Sequence, residues 1–343
     1  MRIRLPRSRP ARLALVGVPL AVLIVLAVWH GPELGPVERA FRYVRWEWVA
    51  VAVLLNLFSV VVRSEAWRTV IKQAIPKPWP RHRTVFSAFC VGLLGNAALP
   101  GRVGELARVA IVTRHLRRLP GTWATIAGTV FAHRIFDFVV AAPLVIYVLY
   151  AAKIPDWAVP GLAVASGVGL GLLLAAVILA RREHRPVSES LSLTRRLLRM
   201  ARAGLTVLRR PAPAVQALAL QVLGWTAQLL AVYTAFLAFN IDASLTAAAL
   251  VLVMMNVAMA FPFWPGNVGL VQAAVALALL PYGVAYGRGV VFGIGLQAIE
   301  VSVGVGLGLI FLAREGFSFA MLRRMPEVTE APIDEDERVE RIA

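Results

Sequence analysis

The chain carries a single cysteine, Cys90, so it can form neither an internal disulfide nor a thiolate metal cluster. It has no Gly-rich phosphate loop ending in Gly-Lys-Ser/Thr, which excludes ATP as a driving force from within the chain. It also lacks Gly-x-Ser-x-Gly, His-Glu-x-x-His and Cys-x-x-Cys. His133 alone is no metal ligand, since no second histidine, cysteine or set of carboxylates with ligand spacing accompanies it, so no metal and no cofactor is expected. Acidic residues are scarce, 19 against 36 Lys and Arg, for a net charge of +17. That excess suggests a nucleic-acid partner, but its distribution argues against one. The basic residues flank apolar segments on alternate sides, which is the positive-inside bias of a membrane protein. The loops are too short for a soluble catalytic domain, so an enzyme is not expected.

What is abundant is apolar. Such residues make up 59% of the chain and the mean hydropathy is +0.72, far above a soluble domain. Arg2, Arg4, Arg7, Arg9 and Arg12 precede the apolar stretch Leu13–Trp29. Trp29-His30-Gly31 offers no small-residue cleavage pattern, which favours an uncleaved first helix over a signal peptide. Trp48–Val62 reads as a helix running inward and ending at Arg63, with residues 63–83 cytoplasmic. Thr122–Tyr150 crosses outward and Trp157–Ala180 inward. Residues 181–210 hold nine arginines against two glutamates, interleaved with leucines, as in a helix lying on an anionic membrane surface. Val215–Phe239 crosses outward and Val290–Ala313 returns. From Pro326 onward the tail is acidic with few apolar residues, the composition of a disordered segment.

One short phrase occurs twice. Residues 99–105 read Leu-Pro-Gly-Arg-Val-Gly-Glu and residues 264–270 read Trp-Pro-Gly-Asn-Val-Gly-Leu, an offset of 165 positions. Each lies inside an apolar stretch whose arms are too short to span comfortably. The flanks of the first (residues 85–113) are basic, and those of the second (245–280) have no basic residue. The reading is two re-entrant hairpins, one entering from the cytoplasm and one from outside; kinked or tightly turned helices are the alternative. Helix, hairpin and helix over 48–150 recur with opposite orientation over 215–313, the inverted-repeat plan of many secondary transporters. The expected fold is an all-α polytopic membrane protein with about six spanning helices plus two re-entrant helical hairpins. It forms one transmembrane domain, 1–325, with a basic cytoplasmic linker at 181–212 and the tail at 326–343. Both termini are placed in the cytoplasm and the protein in the plasma membrane.

Charge inside the bilayer costs about 2.5–3.5 kcal/mol per residue even on the milder scale, yet several charges fall there. Arg102, Glu105 and Arg108 lie at the first break and on the half-helix after it, with Glu105 and Arg108 three apart on one face. In the next helix Arg134–Asp137 and His133–Asp137 are spaced to pair, and Glu300 follows Gln297 by one turn in the last. The half-helices beginning near Val103 and Val268 point free N–H groups and positive dipole ends inward. Asn267 and Gln272 add neutral donors. The candidate binding residues are therefore Asn96, Pro100, Gly101, Arg102, Gly104, Glu105, Arg108, Arg134, Asp137, Pro265, Gly266, Asn267, Gly269, Gln272 and Glu300. Two plainer readings stay open. Arg134–Asp137 can be an ion pair that only pins helices, and Asn96, Gln228 and Asn256 can be helix–helix hydrogen bonds.

The run Asn96-Ala97-Ala98-Leu99-Pro100-Gly101-Arg102-Val103-Gly104-Glu105-Leu106-Ala107-Arg108 resembles the Asn-x-x-x-Pro-Gly-Arg-x-Gly-Glu-x-x-Arg signature of the lysylphosphatidylglycerol synthase transmembrane region, a flippase-like family. Phe261-Pro262-Phe263-Trp264-Pro265-Gly266-Asn267-Val268-Gly269 is similar to that family's second Pro-Gly-x-x-Gly element. The resemblance covers roughly residues 13–320. Two positions depart: His133 stands where the family often has Glu, and the last helix has Gln297 and Glu300 where it often has arginine. No aminoacyl-transfer domain fits, so the resemblance implies lipid translocation or binding without lipid synthesis.

The function expected is a lipid translocase for an anionic or zwitterionic phospholipid or a polyprenyl-phosphate-linked lipid, with Arg102 and Arg134 on the phosphate. Glu105, Asp137 and Glu300 would balance charge or carry a proton. The alternatives are a non-transporting accessory that binds lipid or a membrane glycosyltransferase, and an integral-membrane transferase, for which no acidic metal-binding loop is present. A second copy of the chain is a further candidate partner.

Overall fold

The computed structural model describes residues 42–99, 103–116, 122–154, 207, 210–260 and 265–314, with single positions at 160, 161, 164, 167, 171 and 174. The expected helix Leu13–Trp29, most of the 181–210 segment, the acidic tail, and Pro100, Gly101 and Arg102 lie outside the described residues, and of Trp157–Ala180 only those six single positions are described, all helical. The chain divides after Val44, and the helical body begins at Arg45.

All regular structure among the described residues is helical. Four helices are long and apolar enough to cross a membrane: α1 (Trp46–Ala74), α4 (Thr122–Ala151), α5 (Pro211–Ala238) and α8 (Tyr286–Arg314). At 28–30 residues each reaches about 42–45 Å, enough to cross the hydrocarbon and both interfaces. Between them sit shorter helices, α2 (His82–Ala98), α3 (Val103–His115), α6 (Leu245–Ala260) and α7 (Leu270–Leu279).

The first break falls where the sequence places it. Leu99 takes φ −124° and ψ 143°, the extended conformation imposed on a residue that precedes proline, and α2 ends there. The second break is built from backbone that most residues avoid. Gly266 has φ 66°, Asn267 φ 47° and Gly269 φ 91°, so two glycines and an asparagine make the turn that carries Pro265–Asn267 into α7.

One expectation is corrected. Helix α1 does not stop at Arg63 but continues to Ala74. Its apolar face persists through Ala66, Trp67, Val70 and Ile71, all buried, so packing carries the helix past the charge. Arg63 therefore lies just past the midpoint of a spanning helix rather than in a cytoplasmic loop. Helices α5 and α8 also begin about a turn earlier than the hydropathy suggests, at Pro211 and Tyr286.

The helices pack in matching pairs. Contacts α1–α2, α2–α3, α3–α4 and α1–α4 in the first half recur as α5–α6, α6–α7, α7–α8 and α5–α8 in the second. Across the halves, α1–α8 and α2–α8 recur as α5–α4 and α6–α4. The most extensive contact, α1 with α5, is its own counterpart. There the Ser59 hydroxyl donates to the Gly224 carbonyl at 2.8 Å and an Arg63 N–H donates to Gln228 Oε1 at 3.4 Å. Both pairs are 165 positions apart, the offset of the repeated phrase. A residue touching its own counterpart marks where two like halves face each other. Small residues bring helices close elsewhere: a Cβ at Gly95 would sit 2.8 Å from Gly104 Cα, and one at Gly308 2.8 Å from the Cys90 carbonyl oxygen.

Candidate functional site

Five helices contribute to one chain of charged and amide groups. On α3, Arg108 donates to Glu105 Oε2 at 3.2 Å. Arg134 of α4 pairs with the other oxygen of Glu105 and reaches Asp137 Oδ2 at 3.4 Å. Arg63 of α1 donates to Asp137 Oδ1 at 2.6 Å. That same oxygen accepts from Gln221 and, at 3.3 Å, from the Trp225 indole, both on α5. Gln228, also on α5, accepts from Arg63 and donates to Glu300 Oε1 of α8 at 3.2 Å. Three guanidinium groups thus stand against three carboxyl groups, with Asp137 and Glu300 near the midpoints of their helices. Neutrality of this kind is what makes charge tolerable away from water.

The three arginines differ in surroundings. Arg108 is 2% exposed, its guanidinium carbon 3.8 Å from the centre of the Phe89 ring and 5.5 Å from that of Trp67. Gly92 makes room for it: a Cβ there would lie 2.6 Å from Arg108 Nε. Arg108 is locked in. The Arg63 side chain is 18% exposed and lies over Trp225, 5.8 Å from the ring centre. The Arg134 side chain is 34% exposed, the most of the three. The Nε–H groups of Arg63, Arg108 and Arg134 are buried with no hydrogen-bond partner among the described residues.

Of the residues picked from sequence, Glu105, Arg108, Arg134, Asp137 and Glu300 are brought into this chain. The expected His133–Asp137 pair does not form. Asp137 is taken by three side chains from α1 and α5, while His133 sits edge-on to Phe89, ring centres 5.9 Å apart, with neither nitrogen bonded among the described residues. Asn96 and Gly104 lie where α2 crosses α3: a Cβ on Gly104 would come within 2.8 Å of the Asn96 backbone nitrogen.

The second hairpin uses neutral amides on itself. Gly269 N–H donates to Gln272 Oε1 at 2.6 Å, closing the start of α7. Gln272 in turn donates to Gln297 of α8, and Gln297 donates to the Gly266 carbonyl. Asn267 donates to the Ala258 carbonyl at 2.9 Å. Pro265 opens the turn. The amides of Asn267 and Gln272 thus hold the turn together, and Asn256 bonds back to Leu252 of its own helix at 2.8 Å. The tip of the second hairpin meets the end of the first: the Ala97 carbonyl oxygen is 3.7 Å from a Cβ position on Gly266.

Sequence reasoning missed Arg63, Gln221 and Trp225, whereas the helix–helix hydrogen bond expected of Gln228 forms, to Arg63 of α1 and Glu300 of α8. The repeat offset makes Arg63 and Gln228 equivalent positions, but only the packing of α1 on α5 brings them into contact. Among the described residues no group of three histidines, cysteines or carboxylates could hold a metal ion.

No solved structure matches the chain. A curated relative, the UPF0104 membrane protein of Methanothermobacter thermautotrophicus, is 25% identical over 289 residues, covering 77% of this chain and 82% of its own. The family model described as the lysylphosphatidylglycerol synthase TM region matches residues 11–308, nearly the whole helical body with both breaks and every residue of the ionic chain. The protein is a membrane protein of the lysylphosphatidylglycerol synthase TM region family.

Proposed function

We propose that the protein is a lipid translocase that takes a phosphate-bearing head group into a polar site between two re-entrant hairpins. The observation that carries this reading is the ionic chain at the midpoints of helices long and apolar enough to span the membrane. Helices α2, α3, α6 and α7 would be about 26, 20, 24 and 15 Å long, all short of the roughly 30 Å of hydrocarbon. Their lengths and the Ala97–Gly266 contact support hairpins that enter from opposite sides and meet within the membrane. The matched helix contacts support an internal repeat, and the basic flanks of residues 85–113 support a first hairpin opening from the cytoplasm.

In this reading a phosphate enters beside Arg134 and competes with Glu105 and Asp137 for its N–H groups. Guanidinium and phosphate make parallel, bidentate hydrogen bonds, so the exchange swaps one charge-assisted pair for another instead of stripping a bare charge. The site performs no bond chemistry, and no cofactor takes part. The protein sits in the plasma membrane with its basic loops cytoplasmic.

The test is reconstitution into vesicles with lipids labelled on the head group, following exchange between leaflets. Wild type exchanges at least one phosphate-bearing class above empty vesicles, and Arg134→Ala loses most of that activity while remaining folded. If wild type moves no lipid class, the translocase reading fails. Stoichiometric recovery of a membrane glycosyltransferase in that case would favour the accessory role.

A further inference from the structure

The Arg63 guanidinium sits at the α1–α5 crossing, where residues touch their own counterparts. On one side it holds Asp137 of α4 at 2.6 Å. On the other it holds the amide oxygen of Gln228, whose N–H holds Glu300 of α8 at 3.2 Å. Helices α4 and α8 occupy matching places, α4 against α5 as α8 against α1. The polar contacts agree. Asn56 of α1 donates to the carbonyls of Ile299 and Glu300, and Gln221 of α5, 165 positions later, donates to Asp137. Asp137 and Glu300 are therefore carboxyl groups on matching helices that flank one shared cation, two positions out of register, since the 165-residue offset sets Asp137 against Ser302. One is bound directly; the other is held one amide away.

We infer that Arg63 is the switch residue of the site, pairing with Asp137 in the state described and with Glu300 when the two halves exchange conformations. This deepens the translocase reading and rests on it. Two like halves facing each other have two equivalent arrangements, and Arg63, with one N–H on Asp137 and the other on Gln228, holds only one of the two carboxyl groups directly. Whichever half holds Arg63 takes one conformation and its counterpart the other. Gln228 is the relay that offers Glu300 to the guanidinium while occupying its second N–H. Arg63 acts by positioning the halves, and the head group need not touch it.

The test is the sidedness of cysteine labelling in vesicles, using the full chain with Cys90→Ala and either Ala97→Cys or Val268→Cys at a hairpin tip. A membrane-impermeant maleimide is applied from one face at a time. Asp137→Asn leaves Arg63 only Glu300, and Glu300→Gln leaves it only Asp137. The inside-to-outside labelling ratio is expected to move about tenfold in opposite directions for the two variants. With Arg63→Gln also present, the two variants should give the same ratio. Gln228→Leu, which removes the relay without changing charge, should move labelling in the direction of Glu300→Gln, and it serves if Asp137→Asn fails to accumulate. Shifts in the same direction, no shift, or opposed shifts that survive Arg63→Gln would overturn the inference. Labelling needs no lipid substrate, so lipid exchange without opposed labelling sinks the switch alone. Opposed labelling without lipid exchange sinks the translocase reading alone.

Discussion

Ala97, at the last turn of α2, points its carbonyl oxygen at Gly266, 3.7 Å from where a side chain would begin. The ends of two sequence-distant segments are thus in contact, one just before the first Pro-Gly break and one inside the second. Around Gly266 the nearest atoms to an added Cβ lie at 3.6–3.9 Å, ordinary contact distances. Space is therefore not what requires glycine there. The backbone requires it, since φ is 66°.

That separation of causes makes a prediction. Gly266→Ala should cost about 1–2 kcal/mol from the left-handed conformation alone, without crowding the tip. Gly266→Asn should cost less, because asparagine tolerates that conformation, as Asn267 beside it already does at φ 47°. Thermal unfolding in detergent checks the order. Equal losses for alanine and asparagine would mean that packing, not backbone, sets the residue.

Two glutamates on neighbouring elements should answer very differently to neutralisation. Glu105 joins Arg108 and Arg134 with 19% of its side chain exposed. Glu105→Gln leaves Arg108 without a carboxylate partner and Arg134 with Asp137 alone, and a loss of about 3–5 kcal/mol is expected. Glu65 also has several cationic neighbours, Arg68 at 3.0 Å and Lys72 at 3.7 Å. Those cations lie in the more polar last turns of α1, so Glu65→Gln should cost about 1 kcal/mol or less. Denaturation of the two variants side by side measures the difference.

The breaks were legible in the sequence because proline and glycine act locally. Leu99 is extended since Pro100 comes next, and Gly266 turns because only small or special residues take positive φ. The pairings Glu105–Arg108 and Arg134–Asp137 were legible too, being fixed by helical spacing. Arg63 was not. Beside Glu65, Arg68 and Lys72 it looks like the start of a cytoplasmic loop, and the local pattern cannot reveal that its partners, Asp137 and Gln228, come from helices 74 and 165 positions away. Long-range partners also undid the His133–Asp137 expectation. The spacing permits the pair, but Asp137 has better donors in Arg63, Gln221 and Trp225. The amides of Asn267 and Gln272 read from sequence as ligand donors because the hairpin's own need for them appears only once Gly269, Gln297 and Ala258 are in place.

That need can be tested at Gln297. Its side chain accepts from Gln272 and donates to the Gly266 carbonyl, so one residue of α8 holds both the turn and the helix after it. Gln297→Leu is close in size and leaves both of those groups without a partner, which should cost about 1–3 kcal/mol for each group that water cannot reach. The loss should be local. The amides of α7 should exchange hydrogen faster, whereas those of α3, held by Glu105 and Arg108, should not change. Gln297→Glu keeps an acceptor for Gln272 but, while ionised, sets an unpaired buried charge against the Gly266 carbonyl, so its effect on α7 should be at least as large as that of leucine. Hydrogen exchange read by mass spectrometry distinguishes these outcomes. Faster exchange in both hairpins would show instead that the amide chain and the ionic chain are a single cooperative unit, with Gln297 supporting the whole site rather than one tip.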